Sequence, residues 1–310
     1  MLKSCPQFLK GKMKSFLNFF IKGLDIKWLI SKFKIFRNQL FLNFYLTKKP
    51  AYFDEFIKSL QYLNGSNIAV VVAFEQPWAL NWLLRMAKKN LKNTTVLVFD
   101  NSRDFGLRKE ILSVCKKNKT IYFSLPKYNT RHVNRSHGMA MSWIYKNVVM
   151  AIKPKLFTFV DHDLIPVRPI NLQSLIKTQP FYGRETGKKS DFWSLWAGYC
   201  IFDFKHLVNK NINFLYDFSR NLDTGGRNWG PLYSQFEKKI ITFASSTHKI
   251  VFLPRFKGGA TVQFIDDKWI HIGSISYNNN FEQKFKFFKA LAKEIDINPR
   301  WYQSVKMKSL

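Results

Sequence analysis

Acidic residues are scarce in this chain. Its 310 residues include 20 Asp+Glu against 50 Lys+Arg, a formal net charge of +30. Such a field attracts anions (nucleic acid, acidic lipid surfaces or phosphorylated substrates) without choosing among them. Cysteine is rarer still: Cys5, Cys115 and Cys200 are widely spaced and odd in number. That excludes a disulfide framework or a zinc-ligand spacing and points to a reducing compartment. No internal repeat, long flexible linker or nucleic-acid-binding motif is present. What the chain has in quantity is apolar surface, 46% hydrophobic residues with 31 Phe, which excludes a disordered protein. Its length suits one large α/β domain with appendages.

Residues 1–50 form a distinct opening, with eleven Lys/Arg and a single acid, Asp25. Leu9, Met13, Phe16, Phe20, Leu24 and Trp28, then Leu29, Phe33, Phe36 and Leu40, recur at helical spacing. No uncharged apolar run here approaches the ~18–20 residues of a spanning helix. Lysines interrupt every candidate signal-peptide core, and no cleavage pattern follows. A basic helix with bulky apolar residues suits the cytoplasmic face of an anionic membrane. Packing of these helices on the following domain is the other reading.

From Asn67 the pattern becomes regular. Buried-strand runs at Ile68–Phe74, Thr95–Phe99, Thr120–Phe123 and Leu156–Val160 alternate with helices opening at Pro77, near 107 and at Arg135. Strands alternating with helices imply parallel strands joined by crossover helices, a Rossmann-like arrangement with its ligand face at the strand ends. Those ends carry Phe74-Glu75, Asp100 and Asp161-His162-Asp163. Two carboxylates at i and i+2, directly after a strand buried on both faces, can approach one divalent cation, and oxygen ligands suit Mg²⁺ or Mn²⁺. Beyond Pro166 the alternation breaks down. A short helix over 171–178, a strand running into Phe202, a helix from Pro231 to Ile240, a strand at Ile250–Leu253 and a basic helix over Phe281–Ile295 are expected there.

Over residues 67–167 the chain resembles the GT-A-type glycosyltransferases, most closely the family 2-like group. The resemblance rests on four features in order: Ile68–Phe74 with its helix, Val96-Leu97-Val98-Phe99-Asp100-Asn101-Ser102-Arg103-Asp104, Ser136-His137-Gly138-Met139-Ala140-Met141-Ser142-Trp143, and Asp161-His162-Asp163. No counterpart of the group's Glu-Asp catalytic-base motif is found in the second half. The resemblance implies a GT-A fold, a mainly parallel central sheet flanked by helices. It also implies a nucleotide-diphosphate sugar donor, whose diphosphate is bridged by Mn²⁺ or Mg²⁺ to Asp161 and Asp163. Asp161 would also reach the ribose, Asp100 would accept hydrogen bonds from uracil or ribose, and Phe74 and Glu75 would line the base pocket.

Other residues have two readings each. Several GT-A groups add a C-terminal histidine as third metal ligand, and His271 between Trp269 and Gly273 suits that role or that of an ordinary half-buried histidine. His162 alternates away from its neighbouring carboxylates and is read as a supporting residue. Asp223, on the tight turn Leu222-Asp223-Thr224-Gly225-Gly226, is the first candidate for a general base, with Asp191 and then Glu185 behind it. Trp193, Trp196 and Gly198 form either a sugar platform or core. Arg135 and His137, near a helix N-terminus, meet phosphate or stay at the surface.

The expected organisation is a basic helical extension (1–60), a catalytic domain (61–280, with a nucleotide-sugar half over 67–167 and an acceptor half over 168–280) and a basic C-terminal helix (281–310). The expected activity is metal-dependent transfer of a sugar to a glycan or lipid-linked acceptor, in surface polysaccharide or lipopolysaccharide synthesis, at the cytoplasmic face of a membrane. The competing readings are a basic nucleic-acid-acting protein, against which the spread of basic residues along the chain counts, and an inactive GT-A-like assembly partner.

Overall fold

The structure, a computed structural model, describes residues 26–128, 130, 132–187, 191–254, 256–273, 281–298 and 300–310. The expected helix over residues 1–25 lies outside them. The chain divides into two compact units, residues 1–44 and 45–310.

In the first unit, helix α1 (Ile26–Leu46) begins, and it runs on across the boundary. The apolar spacing read from the sequence is borne out here as helix, and Leu29, Ile30, Phe33, Phe36 and Leu40 are exposed along it. None of the described helices is long and apolar enough to cross a membrane.

The second unit opens with α2 (Phe53–Ser59), and then strand and helix alternate. β1 (Asn67–Ala73), α3 (Pro77–Asn90), the two-residue β2 (Leu91–Lys92), β3 (Thr95–Asp100), α4 (Phe105–Lys117) and β4 (Ile121–Ser124) lead to α5 (Val133–Ile144). The start signals are local. Pro77 occupies the first turn of α3, where its missing N–H costs nothing. The Asp104 side chain caps α4 by accepting from the Leu107 N–H at 2.8 Å. After α5 the helix widens into a π turn (Tyr145–Val149), closes with α6 (Met150–Ile152) and feeds β5 (Leu156–Asp161). β1, β3, β4 and β5 pair in parallel. Most of their Val, Ile, Leu and Phe side chains are buried, on both faces, the expected mark of a sheet covered by helices; Val96 and Ile121 are half-buried.

The remaining elements are β6 (Leu164–Pro166), β7 (Ile170–Asn171), α7 (Leu172–Ile176), β8 (Phe181–Thr186), β9 (Ser194–Asp203), β10 (Ser246–Phe252), β11 (Gly259–Ile265), β12 (Trp269–His271), α8 (Phe281–Ile297), α9 (Trp301–Ser304) and β13 (Lys306–Ser309). β9 and β8 extend the main sheet in antiparallel fashion, giving the order β4-β3-β1-β5-β9-β8. A second, antiparallel sheet has the order β13-β10-β11-β12-β6. The protein is thus an α/β structure with a mainly parallel central sheet, as expected. Because β6 starts three residues after β5 ends, the Asp161–Asp163 turn is where the chain crosses from one sheet to the other.

One expectation needs correction. The helix from Pro231 to Ile240 is two separate 3₁₀ turns, Tyr233–Gln235 and Lys238–Ile240. There the Ser234 hydroxyl and Gln235 amide bond the carbonyls of Gly230 and Pro231, and Leu232 and Tyr233 turn into the core. Within the large unit Phe53 and Leu60, ahead of β1, are buried, and Phe287, Phe288, Leu291 and Ile295 of α8 join its core.

Candidate active site

A cleft of about 360 Å³ opens at the C-terminal ends of β1, β3 and β5. Its floor is the crossing turn. Asp161 ends β5, and Asp163 is held by two bonds from the distant β12 end: its carbonyl accepts from the Ile272 N–H and its Oδ2 from the Gly273 N–H, each at 3.0 Å. Pairing of β12 with β6 sets His271 opposite Leu164 and brings the imidazole beside the turn. His271 Nε2 lies 3.7 Å from Asp163 Oδ1. One ligand atom each from Asp161, Asp163 and His271 falls within a 4.8 Å cluster.

The electrostatics of the cluster ask for a cation. Burial, with the Asp163 carboxylate alongside, pushes the Asp161 carboxyl up to about 6. His137 lines the same floor, its Nε2 3.6 Å from Asp161 Oδ1, beyond good hydrogen-bond range. Burial pulls its imidazole down to about 4 against the pull of Asp223 and Asp163, so at neutral pH it brings no positive charge. Lys284 of α8 donates to the Gly273 carbonyl and is drawn to Asp163, yet burial lowers its pKa too. Two carboxylates and one imidazole within reach of a common point are a donor set that fits Mn²⁺ or Mg²⁺.

The neighbouring strand makes room for this arrangement. β9 runs antiparallel to β5 with Tyr199 opposite Val160. A Cβ on Gly198 would stand 2.3 Å from Asp161 Oδ2 and 2.3 Å from the Trp196 ring. Glycine at this position therefore supplies space. Trp196 lines the cleft, its ring 4.7 Å from the His271 ring and with the Arg184 guanidinium 5.0 Å from its centre.

The opposite wall carries Asp223. The Asp217–Leu222 bridge and the bond from the Gly225 N–H to the Phe214 carbonyl fix the turn that presents it. Asp223 Oδ1 accepts from Asn134 Nδ2 at 2.6 Å and from the Thr224 N–H at 2.7 Å. Asn134, Thr224, Asn101, Ser136 and Arg103, all lining the cleft, were not singled out from the sequence. Asn101 and Ser136 bond each other, tying the end of β3 to α5. The spacing of Asn134 ahead of His137 on one helical face was the available signal.

Other sequence candidates sit elsewhere. Asp100 is fully buried and holds the loop after β3 through the Ser102 N–H (2.8 Å) and the Tyr122 hydroxyl (3.0 Å). Phe74 lines the cleft, but the Glu75 carboxylate accepts from the Arg103 and Asp104 N–H groups and fastens β1 to the β3 loop. Arg135 bonds Thr130 and lies outside the cleft lining. Asp191 is exposed, and Glu185 pairs with Lys238 at 2.6 Å; neither lines the cleft. Trp193 is core, packed among Phe181, Trp229, Tyr233 and Phe243. His162 Nδ1 meets the Val72 carbonyl at 3.3 Å, while its ring borders the cleft.

No family model matches the chain, and no curated protein does. Solved structures overlap it in part, the following two among them. One is the apo structure of WbbM, a bifunctional glycosyltransferase: 10% identity and a TM-score of 0.31 over 46% of this chain and 32% of that one. The other is glucosyl-3-phosphoglycerate synthase from Mycobacterium tuberculosis in complex with Mn²⁺ and uridine-diphosphate-glucose: 14% identity and a TM-score of 0.33 over 54% of this chain and 66% of that one. The chain thus spans about a third of the first neighbour and just under two thirds of the second.

Proposed function

We propose that the protein is a metal-dependent glycosyltransferase that uses a nucleotide-diphosphate sugar. The observation that carries this reading is the convergence of Asp161, Asp163 and His271 at the floor of a cleft with a further carboxylate, Asp223, on its other wall. When bound, a divalent cation there neutralises the negative charge that builds on a diphosphate leaving group. Asp161, Asp163 and His271 would hold it. Phe74, Asn101 and Arg103, at the ends of β1 and β3, surround the space left for the nucleoside. Asp223, oriented by Asn134 and Thr224, accepts the proton of an acceptor hydroxyl. His137 stays neutral and lines the floor beside Asp161.

The acceptor is a glycan or a lipid-linked glycan. The exposed Leu29, Ile30, Phe33, Phe36 and Leu40 of α1, among basic residues, support peripheral contact with an anionic cytoplasmic membrane face. Release from anionic vesicles on removal of residues 1–44 is the expected result; equal co-sedimentation of both forms counts against it.

The activity is tested with a panel of nucleotide-diphosphate sugars, by thermal shift and by donor hydrolysis with Mn²⁺. One donor class should raise the melting temperature in a concentration-dependent way, with hydrolysis lost in Asp163→Ala. No response to any donor, or equal turnover in wild type and variant, overturns the reading.

A further inference from the structure

His271 can serve a cation only through an unprotonated Nε2, and a neutral imidazole carries its proton on either nitrogen. What decides the tautomer is the partner of the other nitrogen. In this protein that partner comes from the adjacent strand. The β11–β12 register sets Gln263 directly opposite His271, and Gln263 Oε1 stands 2.6 Å from His271 Nδ1. A carbonyl oxygen only accepts, so in the neutral ring Nδ1 carries the proton and Nε2, which faces Asp163, keeps its lone pair. The amide is itself oriented: Gln263 Nε2 donates to Ser246 Oγ at 2.8 Å, from β10 on the other side of β11. Turned the other way, the amide would offer an N–H to Nδ1 and move the imidazole proton to Nε2.

We propose that Gln263, anchored by Ser246, is a positioning residue that locks His271 in its cation-binding tautomer. The lock spans three strands of the antiparallel sheet, so the metal competence of the cleft is set partly outside it. The inference rests on the metal site proposed above, but its first test is independent of any metal. An apolar side chain at 263 would leave Nδ1 without its acceptor and the ring free to turn against Trp196. Glutamate would keep an acceptor in place.

The experiment uses the full chain labelled with ¹⁵N-histidine and stripped of metal, as wild type, Gln263→Leu, Gln263→Glu and Ser246→Ala. His271 should show the Nδ1–H tautomer in wild type and Gln263→Glu and a mixture or the Nε2–H form in Gln263→Leu. In Mn²⁺ titrations followed by electron paramagnetic resonance, Gln263→Leu should bind about 10–100-fold more weakly, the range typical of losing such a partner. Gln263→Glu should restore binding, and the exposed Ser246→Ala should lose less than Gln263→Leu. An unchanged His271 signature in a folded Gln263→Leu protein overturns the proposal, as does unchanged Mn²⁺ affinity. A wild type that shows the Nδ1–H tautomer, lost in Gln263→Leu, yet binds no Mn²⁺ overturns the metal reading while supporting the lock.

Discussion

Asp100 and Asp161 both close parallel strands, on either side of β1 and at nearly the same level: Ala73 pairs with Asp100 and Val72 with Asp161. From the sequence both read as ligand-facing. Asp100 is fully buried, and both of its oxygens are satisfied by the protein itself. Asp161 faces the cleft beside a second carboxylate and a neutral histidine, with its own proton affinity raised. A buried carboxylate with donors is structural, whereas one confronted by another carboxylate is incomplete. Position at a strand end gives the opportunity, and the available donors decide the use.

The sharpest way to break this contrast is to remove each side. Asp163→Ala should cost more than about 100-fold in Mn²⁺ affinity and donor hydrolysis, beyond the loss of an outer partner, with little loss of metal-free stability. Asp100→Ala should leave the Tyr122 hydroxyl and Ser102 N–H unsatisfied and cost about 1–3 kcal/mol. Urea unfolding and Mn²⁺ titration on both variants separate the two roles; a stability loss in Asp163→Ala as large as in Asp100→Ala would erase the distinction.

Next in size is the far wall. Asp223→Asn should lower kcat by about 100-fold or more, the usual scale for a general base, with Mn²⁺ affinity unchanged. Asn134→Ala should lower it less. A fall in metal affinity alone would place Asp223 with the floor.

Gly198→Ala sharpens the comparison from the neighbouring strand. Forcing a Cβ against Asp161 Oδ2 should weaken Mn²⁺ binding about tenfold, in line with the ~1–3 kcal/mol that overpacking costs. Binding equal to wild type would show that the carboxylate can move aside freely.

The smallest effect is in pH. The folded state keeps the Asp161 proton up to about 6 where the unfolded chain has released it near 4, so this group makes stability fall as pH rises through that window. His137, held down to about 4 against an ordinary 6.5, works oppositely, because there the unfolded chain binds the proton. In metal-free wild type the two contributions oppose each other. Asp161→Asn should therefore gain stability from pH 4.5 to 6.5 and His137→Asn lose it, each on the order of 1–2 kcal/mol. Changes of the same sign in both variants would refute this assignment.

The parallel half of the fold was legible because its strands are long apolar runs and its helices have local starts at Pro77 and Asp104. β6 and β12 were not, because three-residue antiparallel strands take their identity from partners far along the chain. The same divide runs through the site. Asp161 and Asp163 could be read from a strand and two carboxylates. The bonds that Asp100 and Glu75 make within the protein were not legible, because hydrogen-bond satisfaction is invisible in one dimension. Asn134 offered only its spacing ahead of His137, and Gln263 gave no sign, because a neutral amide acquires its role only from what it touches.

The sequence by itself determined the parallel sheet, the basic character and the carboxylate pair at the end of β5, since burial pattern and charge are written residue by residue. Only the tertiary structure decided that His271 joins that pair, that Gly198 makes room for it and that Asp223 faces it. Each of those depends on pairing or loop closure between distant segments, and that geometry is fixed only when both sheets have formed.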